Sequence, residues 1–248
     1  MTTLEVPGQS ILVVDQAGLH LTKSYGTGVD GIIGLNLRSP VIESTVIQNI
    51  QKTEIAVPVA TAGKGGELLL NAVDKSRFCG PIRWSNRGPS PYDWSVLMDR
   101  GIQLHDPITD TTFFTVPETD RTFSVLDSGS DGIYLRRPMY HALYERIPGA
   151  MQLPNGFWRV PCRGITELVF GIEEELYRIP YEDWVKKPNM TTSSSHVHWG
   201  GGPGMCQAKV YGSSPGPILL GAAFLRTVYT VFDFSRPGHE RVGFAALA

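Results

Sequence analysis

The chain has 248 residues, 42% hydrophobic and only 19% charged, with 22 basic against 24 acidic side chains. That length supports one large or two small domains with a real core, and a sequence pI near 6.3 leaves no basic stripe for a nucleic acid. Its 27 Gly and 18 Pro come to about 18% of the chain, above the roughly 12% of average usage, and interrupt any long helix. Low, mixed charge also argues against disorder and against polybasic attachment to a membrane.

The N-terminal Met1-Thr-Thr-Leu-Glu-Val-Pro lacks a basic leader region, and Ile11 to Val14 is too short for an export signal. If Met1 is the native start, nothing here directs export and a cytoplasmic location is expected. Strand-like runs bounded by turn residues then recur: Ser10 to Val14, Gly66 to Leu70, Pro81 to Trp84, Trp94 to Leu97, Thr112 to Val116, Thr122 to Leu126, Glu167 to Phe170 and Tyr229 to Phe232. Two short helices are expected. One is Thr45 to Gln51 after a Ser44 cap; the other is Pro138 to Arg146, which puts Tyr140, Leu143, Tyr144 and Ile147 on one face. Residues 86 to 91 read as a connector between halves, and 191 to 204 as a long Ser/Gly-rich excursion. The apolar run Ile218 to Leu225 is far short of the roughly 20 residues of a membrane span, so no membrane partner is expected.

The three cysteines, Cys79, Cys162 and Cys206, lack the close pairing of a zinc site. His196 and His198 read as solvated residues of their loop, and Gly63-Lys64-Gly65-Gly66 lacks the spacing of a phosphate loop. No metal and no cofactor is expected. Glu173-Glu174-Glu175 reads as a solvated turn between strands, and Asn189-Met190-Thr191 as a glycosylation sequon that matters only on export.

A weak internal repeat carries the functional signal. Val29-Asp-Gly-Ile-Ile-Gly-Leu-Asn-Leu37 and Pro217-Ile-Leu-Leu-Gly-Ala-Ala-Phe-Leu225 each read as a buried strand stopped by a Gly where another backbone passes closely. Between them, Phe123-Ser-Val-Leu-Asp-Ser-Gly-Ser-Asp131 is an apolar strand ending in a carboxylate at a Ser-Gly turn, which suggests an acid at the floor of a cleft.

These segments resemble the pepsin-like aspartic peptidases. Val125-Leu126-Asp127-Ser128-Gly129-Ser130 is similar to the second-lobe catalytic loop of that family, and Ile218 to Leu225 to its partner strand. Tyr229 to Phe234 with Arg241 to Ala245 is similar to the C-terminal hairpin, and Gly65 to Leu68 with Phe78 to Ile82 to a late first-lobe hairpin. The resemblance implies an all-β pepsin-like fold, with residues 1–88 a truncated first lobe and 89–248 a complete second lobe. It further implies catalytic roles for Asp127, Ser128 and Gly129, substrate contacts from Ser130, Asp131, Tyr134, Met139 and Ile218, and a Cys162–Cys206 disulfide that leaves Cys79 free. Members of that family are usually secreted or vacuolar, which stands against a cytoplasmic location.

Asp127 precedes Gly221 by 94 positions, so an Asp partnered with Gly34 would fall about 60 residues before Met1. Val14-Asp15-Gln16-Ala17 has Ala where the loop needs Gly, and Asp30 reads as a turn residue. Two carboxylates about 3 Å apart share a proton, one serving as base toward water and the other as acid toward the carbonyl, which a solitary Asp cannot do. Asp131 is a further departure, standing where the family usually has Ser or Thr. The leading expectation is therefore a homologue without autonomous peptidase activity that reuses Asp127 as general acid/base on a small molecule. The alternatives are a peptidase completed in trans, by an N-terminal lobe fragment or a second copy, and a non-catalytic binding module. In each case the expected ligand is a small molecule or peptide in the cleft.

Overall fold

A computed structural model describes residues 69, 72–90, 93–116, 122–186, 204–213 and 216–248. Expected features at Ser10 to Val14, Gly66 to Leu68, Thr45 to Gln51, Val29 to Leu37 with Asp15 and Asp30, and the segment of Asn189, His196 and His198 lie outside them. The described part is all-β, with strands β1 (Phe78–Asn86), β2 (Ser95–Asp106), β3 (Thr111–Val116), β4 (Thr122–Leu126), β5 (Ile133–Arg136), β6 (Met151–Gln152), β7 (Trp158–Pro161), β8 (Glu167–Ile172), β9 (Glu175–Ile179), β10 (Val185–Lys186), β11 (Met205–Ala208), β12 (Val210–Ser213), β13 (Ile218–Leu220), β14 (Val228–Asp233) and β15 (Arg241–Leu247). Its helices are the short α1 (Arg137–Tyr144), α2 (Tyr181–Trp184) and α3 (Ala222–Leu225).

The main sheet runs β12-β5-β13-β4-β2-β8-β9, with β3 paired to β2. β13 lies parallel to β4, Leu219 opposite Val125, and antiparallel to β5, Leu219 opposite Tyr134. The strand thus slots between two strands that the Asp127 loop connects directly. β8, Glu-Leu-Val-Phe-Gly-Ile, is buried from Leu168 to Ile172, as a strand covered on both faces requires. The expected strand Trp94 to Leu97 is in fact the 12-residue β2. Its register against β8 shifts between Met98 and Ile102, and Gly101 sits at φ 65°. A bulge over Asp99-Arg-Gly lets the strand continue through polar residues that read locally as an end.

A second sheet of four short strands, β10-β11-β7-β6, is tied by the Cys162–Cys206 disulfide between the end of β7 and β11. Cys79 is free and exposed. α1 buries Tyr140, Leu143 and Tyr144 toward the core with a Pro in its first turn, and the Tyr144 hydroxyl donates to Val210 O at 2.9 Å. The Glu173-Glu174 turn joins β8 to β9 in left-handed backbone, at φ 44° and 72°.

The third sheet, β1-β15-β14, crosses the expected lobe boundary at 88/89: β1 lies just before it yet pairs with the C-terminal β15 at both its ends, with a register shift between Cys79 and Arg83. β14 is buried on both faces. Val228 and Phe232 join the main core, while Tyr229 and Val231 form a second cluster with Ala245, flanked by Phe78, Ile82 and Leu247.

Candidate active site

Asp127 lies where β4 leaves the sheet. Its N–H still donates to Leu220 O at 3.1 Å, extending the β4–β13 ladder by one rung, and its carbonyl accepts from the Ser130 N–H at 3.1 Å, closing a turn. Inside that turn both carboxylate oxygens are held. The Gly129 N–H donates to Oδ1 at 2.9 Å, and the Ser130 hydroxyl donates to Oδ2 at 2.6 Å. Such bonds to a charged acceptor are the stronger kind and fix the carboxylate plane. Asp127 itself is half-buried, whereas Ser128 and Gly129 are exposed.

The loop is held from behind by the first residues after β13. The Gly221 N–H donates to Gly132 O at 3.0 Å and the Ala222 N–H to Ser130 O at 2.7 Å. A Cβ on residue 221 would stand 2.3 Å from Gly132 O and 2.5 Å from Ser130 O, so only Gly allows this approach. This is the close backbone passage that the Ile-Leu-Leu-Gly pattern implied.

Strand register sorts the neighbouring side chains into two rows. Leu126, Leu220, Ile133 and Val210 stand opposite one another in successive strands and are buried. Val125, Leu219, Tyr134 and Tyr211 form the adjacent row and are half-buried. That second row is the floor beside the Asp127 loop. The Tyr134 and Tyr211 rings lie 5.1 Å apart, tilted by 41°. Burial first, then the charges of Asp131 and Asp127, push the Tyr134 phenol above its ordinary pKa. Tyr211 is pushed to about 12, by burial and then by Asp131.

The sequence-derived residues divide accordingly. Asp127, Ser128, Gly129, Ser130 and Asp131 share one loop, and Tyr134 borders it. Ser130 supports the Asp127 carboxylate, while Ser128 makes no side-chain hydrogen bond among the described residues. Met139 is half-buried and packs against the main core. Ile218 needs correction: it is 0% exposed and has no surface to offer a ligand. In β13 the odd-numbered Leu219 takes the half-buried row, so Ile218 points into the core with Leu220. Tyr211 was not anticipated, because it meets Tyr134 only through the parallel β12–β5 pairing, which leaves no local signal. A separate cavity of about 630 Å³ opens around Phe123 and Leu97 with Arg87, Asp99 and Glu174 in its lining; none of its lining residues belongs to the Asp127 loop. Among the described residues no three His, Cys, Asp or Glu side chains gather to hold a metal ion.

Comparison with known proteins bears on the same loop, since the family model of the eukaryotic aspartyl proteases matches residues 1–247. The chain belongs to that family. A probable aspartic-type endopeptidase, CTSD, of Arthroderma benhamiae is 27% identical over 254 residues, covering 93% of this chain and 45% of that protein. Aspartic protease 1 of Toxoplasma gondii is 26% identical over 94% of this chain and 41% of its own length. Pregnancy-associated glycoprotein 1 of Sus scrofa is 27% identical over 86% of this chain and 53% of its own. The chain therefore spans about half the length of the relatives it matches. As an aspartyl protease homologue it carries Asp127-Ser128-Gly129 as its single Asp-Thr/Ser-Gly triplet.

Proposed function

We propose that this chain carries one half of a two-carboxylate centre for peptide-bond hydrolysis, with Asp127 as its carboxylate and a second Asp supplied by polypeptide outside these 248 residues. The observation behind the reading is the Asp127 carboxylate held on both oxygens by its own loop, Gly129 N–H on one and the Ser130 hydroxyl on the other. Names of relatives matched over nearly the whole chain, aspartic-type endopeptidase and aspartic protease, support peptide over other substrates.

In the completed centre two adjacent carboxylates hold one proton between them. The ionised one takes a proton from a water molecule whose oxygen attacks the peptide carbonyl carbon. The protonated one gives its proton to the carbonyl oxygen, and the resulting gem-diol collapses as the amine leaves protonated. Asp127 is kept in one orientation throughout by Gly129 and Ser130, so no reorganisation is required as charge moves.

The test is cleavage of an unstructured protein at acid pH, by the chain alone and with a co-expressed polypeptide bearing Asp-Thr-Gly. Cleavage is expected only with the second polypeptide, is blocked by a transition-state-mimicking inhibitor, and falls at least 1,000-fold in Asp127→Asn, on the order seen when an essential catalytic group is removed. Cleavage that survives in Asp127→Asn overturns the reading.

A second reading, in which Asp127 acts alone on a small molecule, is favoured by the aromatic floor of Tyr134 and Tyr211 beside a solitary triplet. It requires turnover of a small molecule by the chain alone that Asp127→Asn abolishes.

A further inference from the structure

The two-carboxylate step proposed above assigns no role to Asp131. The residue follows Ser130 directly, is exposed, and makes no ion pair among the described residues. The chain beyond it is anchored, not free: Gly132 O accepts from the Gly221 N–H, and the Ile133 N–H donates to Lys209 O at 2.8 Å. Gly132 also lets an aromatic ring close in, since a Cβ there would stand 2.5 Å from the Tyr211 ring. Tyr211 packs in turn against Tyr134, and both belong to the half-buried row beside Asp127. The hydroxyls of Tyr144 and Tyr181 donate to main-chain carbonyls, of Val210 and Pro161, whereas those of Tyr134 and Tyr211 have no hydrogen-bond partner among the described residues.

The charges around Asp131 decide what this corner can hold. Asp127 and Asp131 both act on the Tyr134 phenol, and Asp131 acts on that of Tyr211. One described cation, Lys209, interacts with Asp131 through space but forms no contact ion pair with it: its Nζ donates to Asp183 O at 3.4 Å, and burial followed by the neighbouring Arg226 disfavours its ammonium form, against the opposing pull of Asp131 and Asp183. Among the described residues the corner therefore combines an exposed carboxylate without a contact partner, two aromatic faces and two hydroxyls without a hydrogen-bond partner.

We infer that Asp131, Tyr134 and Tyr211 make this site select a cationic side chain, Lys or Arg, in the peptide it holds. The cationic head meets the Asp131 carboxylate, and the aliphatic stem lies along the tyrosine faces. Asp131 and the two tyrosines are specificity residues here, not catalytic ones, and the inference rests on the peptide-hydrolysing reading of Asp127.

Binding, not turnover, tests it, so that its outcome stands apart from the cleavage assay. Hexapeptides with a non-cleavable hydroxyethylene centre are titrated calorimetrically into the complex of the 248-residue chain with the co-expressed Asp-Thr-Gly polypeptide, each with one Lys placed at successive positions, against norleucine isosteres. At one position Lys is expected to bind about tenfold tighter than norleucine, the sum of a part-exposed ion pair and a cation–aromatic contact. Asp131→Asn should reduce that ratio to within about twofold, and Asp131→Lys should transfer the preference to Glu at the same position. Circular dichroism and melting of both variants show that they fold. Tyr211→Leu, a second route that keeps Asp131, should lower the ratio about threefold. Equal binding of Lys and norleucine peptides at every position overturns the inference while leaving the two-carboxylate reading intact. So does a ratio that Asp131→Asn leaves unchanged. Failure of every peptide to bind overturns the inference whatever the cleavage assay returns.

Discussion

Replacing Gly221 by Ala isolates how the Asp127 loop is held. The backbone of Gly221 lies at φ −91°, which any residue adopts, so conformation does not require Gly there. Space does. An added Cβ would meet Gly132 O at 2.3 Å and Ser130 O at 2.5 Å, and each contact must open by about 1 Å to become ordinary. Those same carbonyls accept from Gly221 and Ala222, at 3.0 and 2.7 Å, so retreat weakens the bonds that fasten the loop. Overpacking costs roughly 1–3 kcal/mol and each weakened backbone bond up to about 1 kcal/mol. The stiffer unfolded chain returns under about 1 kcal/mol, leaving a net destabilisation of about 2–3 kcal/mol. Urea unfolding followed by tryptophan fluorescence measures it as a shift in midpoint at constant slope. Gly216→Ala is the control, since nothing lies within 4 Å of a Cβ there, and it should stay within about 0.5 kcal/mol of the parent. A Gly221→Ala loss as small as the control's would refute the argument that backbone approach dictates this glycine.

Opening the Cys162–Cys206 bridge, whose cysteines are 44 positions apart, should lower stability by about 4 kcal/mol on the loop-entropy estimate, read from unfolding of the double Ser variant. A loss under about 1 kcal/mol would mean that the loop is already constrained without the bridge. Asp233 tests acid sensitivity. Burial raises its pKa, but the Ser235 hydroxyl, the Arg241 guanidinium at 2.8 Å and the Ser235 N–H together outweigh that and hold it below 3.8. A depressed folded-state value contributes stability that is present above the unfolded pKa and lost as pH falls through the folded one. Asp233→Asn should therefore cost under about 1 kcal/mol at pH 7, Arg241 being partly exposed, with the difference from the parent vanishing in strong acid. A difference that persists below about pH 2 would show that packing, not charge, is responsible.

Much of the site was legible because its requirements are local. Asp-Ser-Gly-Ser places two donors within three residues of the carboxylate they hold, and a glycine in a short aliphatic run announces a close backbone passage before its partner is known. α1 was legible for the same reason, its buried stripe of Tyr140, Leu143 and Tyr144 being set by helical spacing. β2 was not, because the bulge after Met98 depends on β8, some 70 positions away, continuing the ladder past it.

By itself, then, the sequence determined which residues could form the carboxylate turn, the all-β class, and the family, since each rests on local backbone chemistry or on segment pattern. Tertiary structure alone decided that β13 lies between β4 and β5, which face Ile218 takes, and that Tyr211 stands beside Tyr134. Strand pairing is made of backbone hydrogen bonds that nearly any side chain permits, so partner and register are chosen by the packing of the whole core. A shift of one residue would have put Ile218 at the site in place of Leu219, and nothing within that strand forbids it.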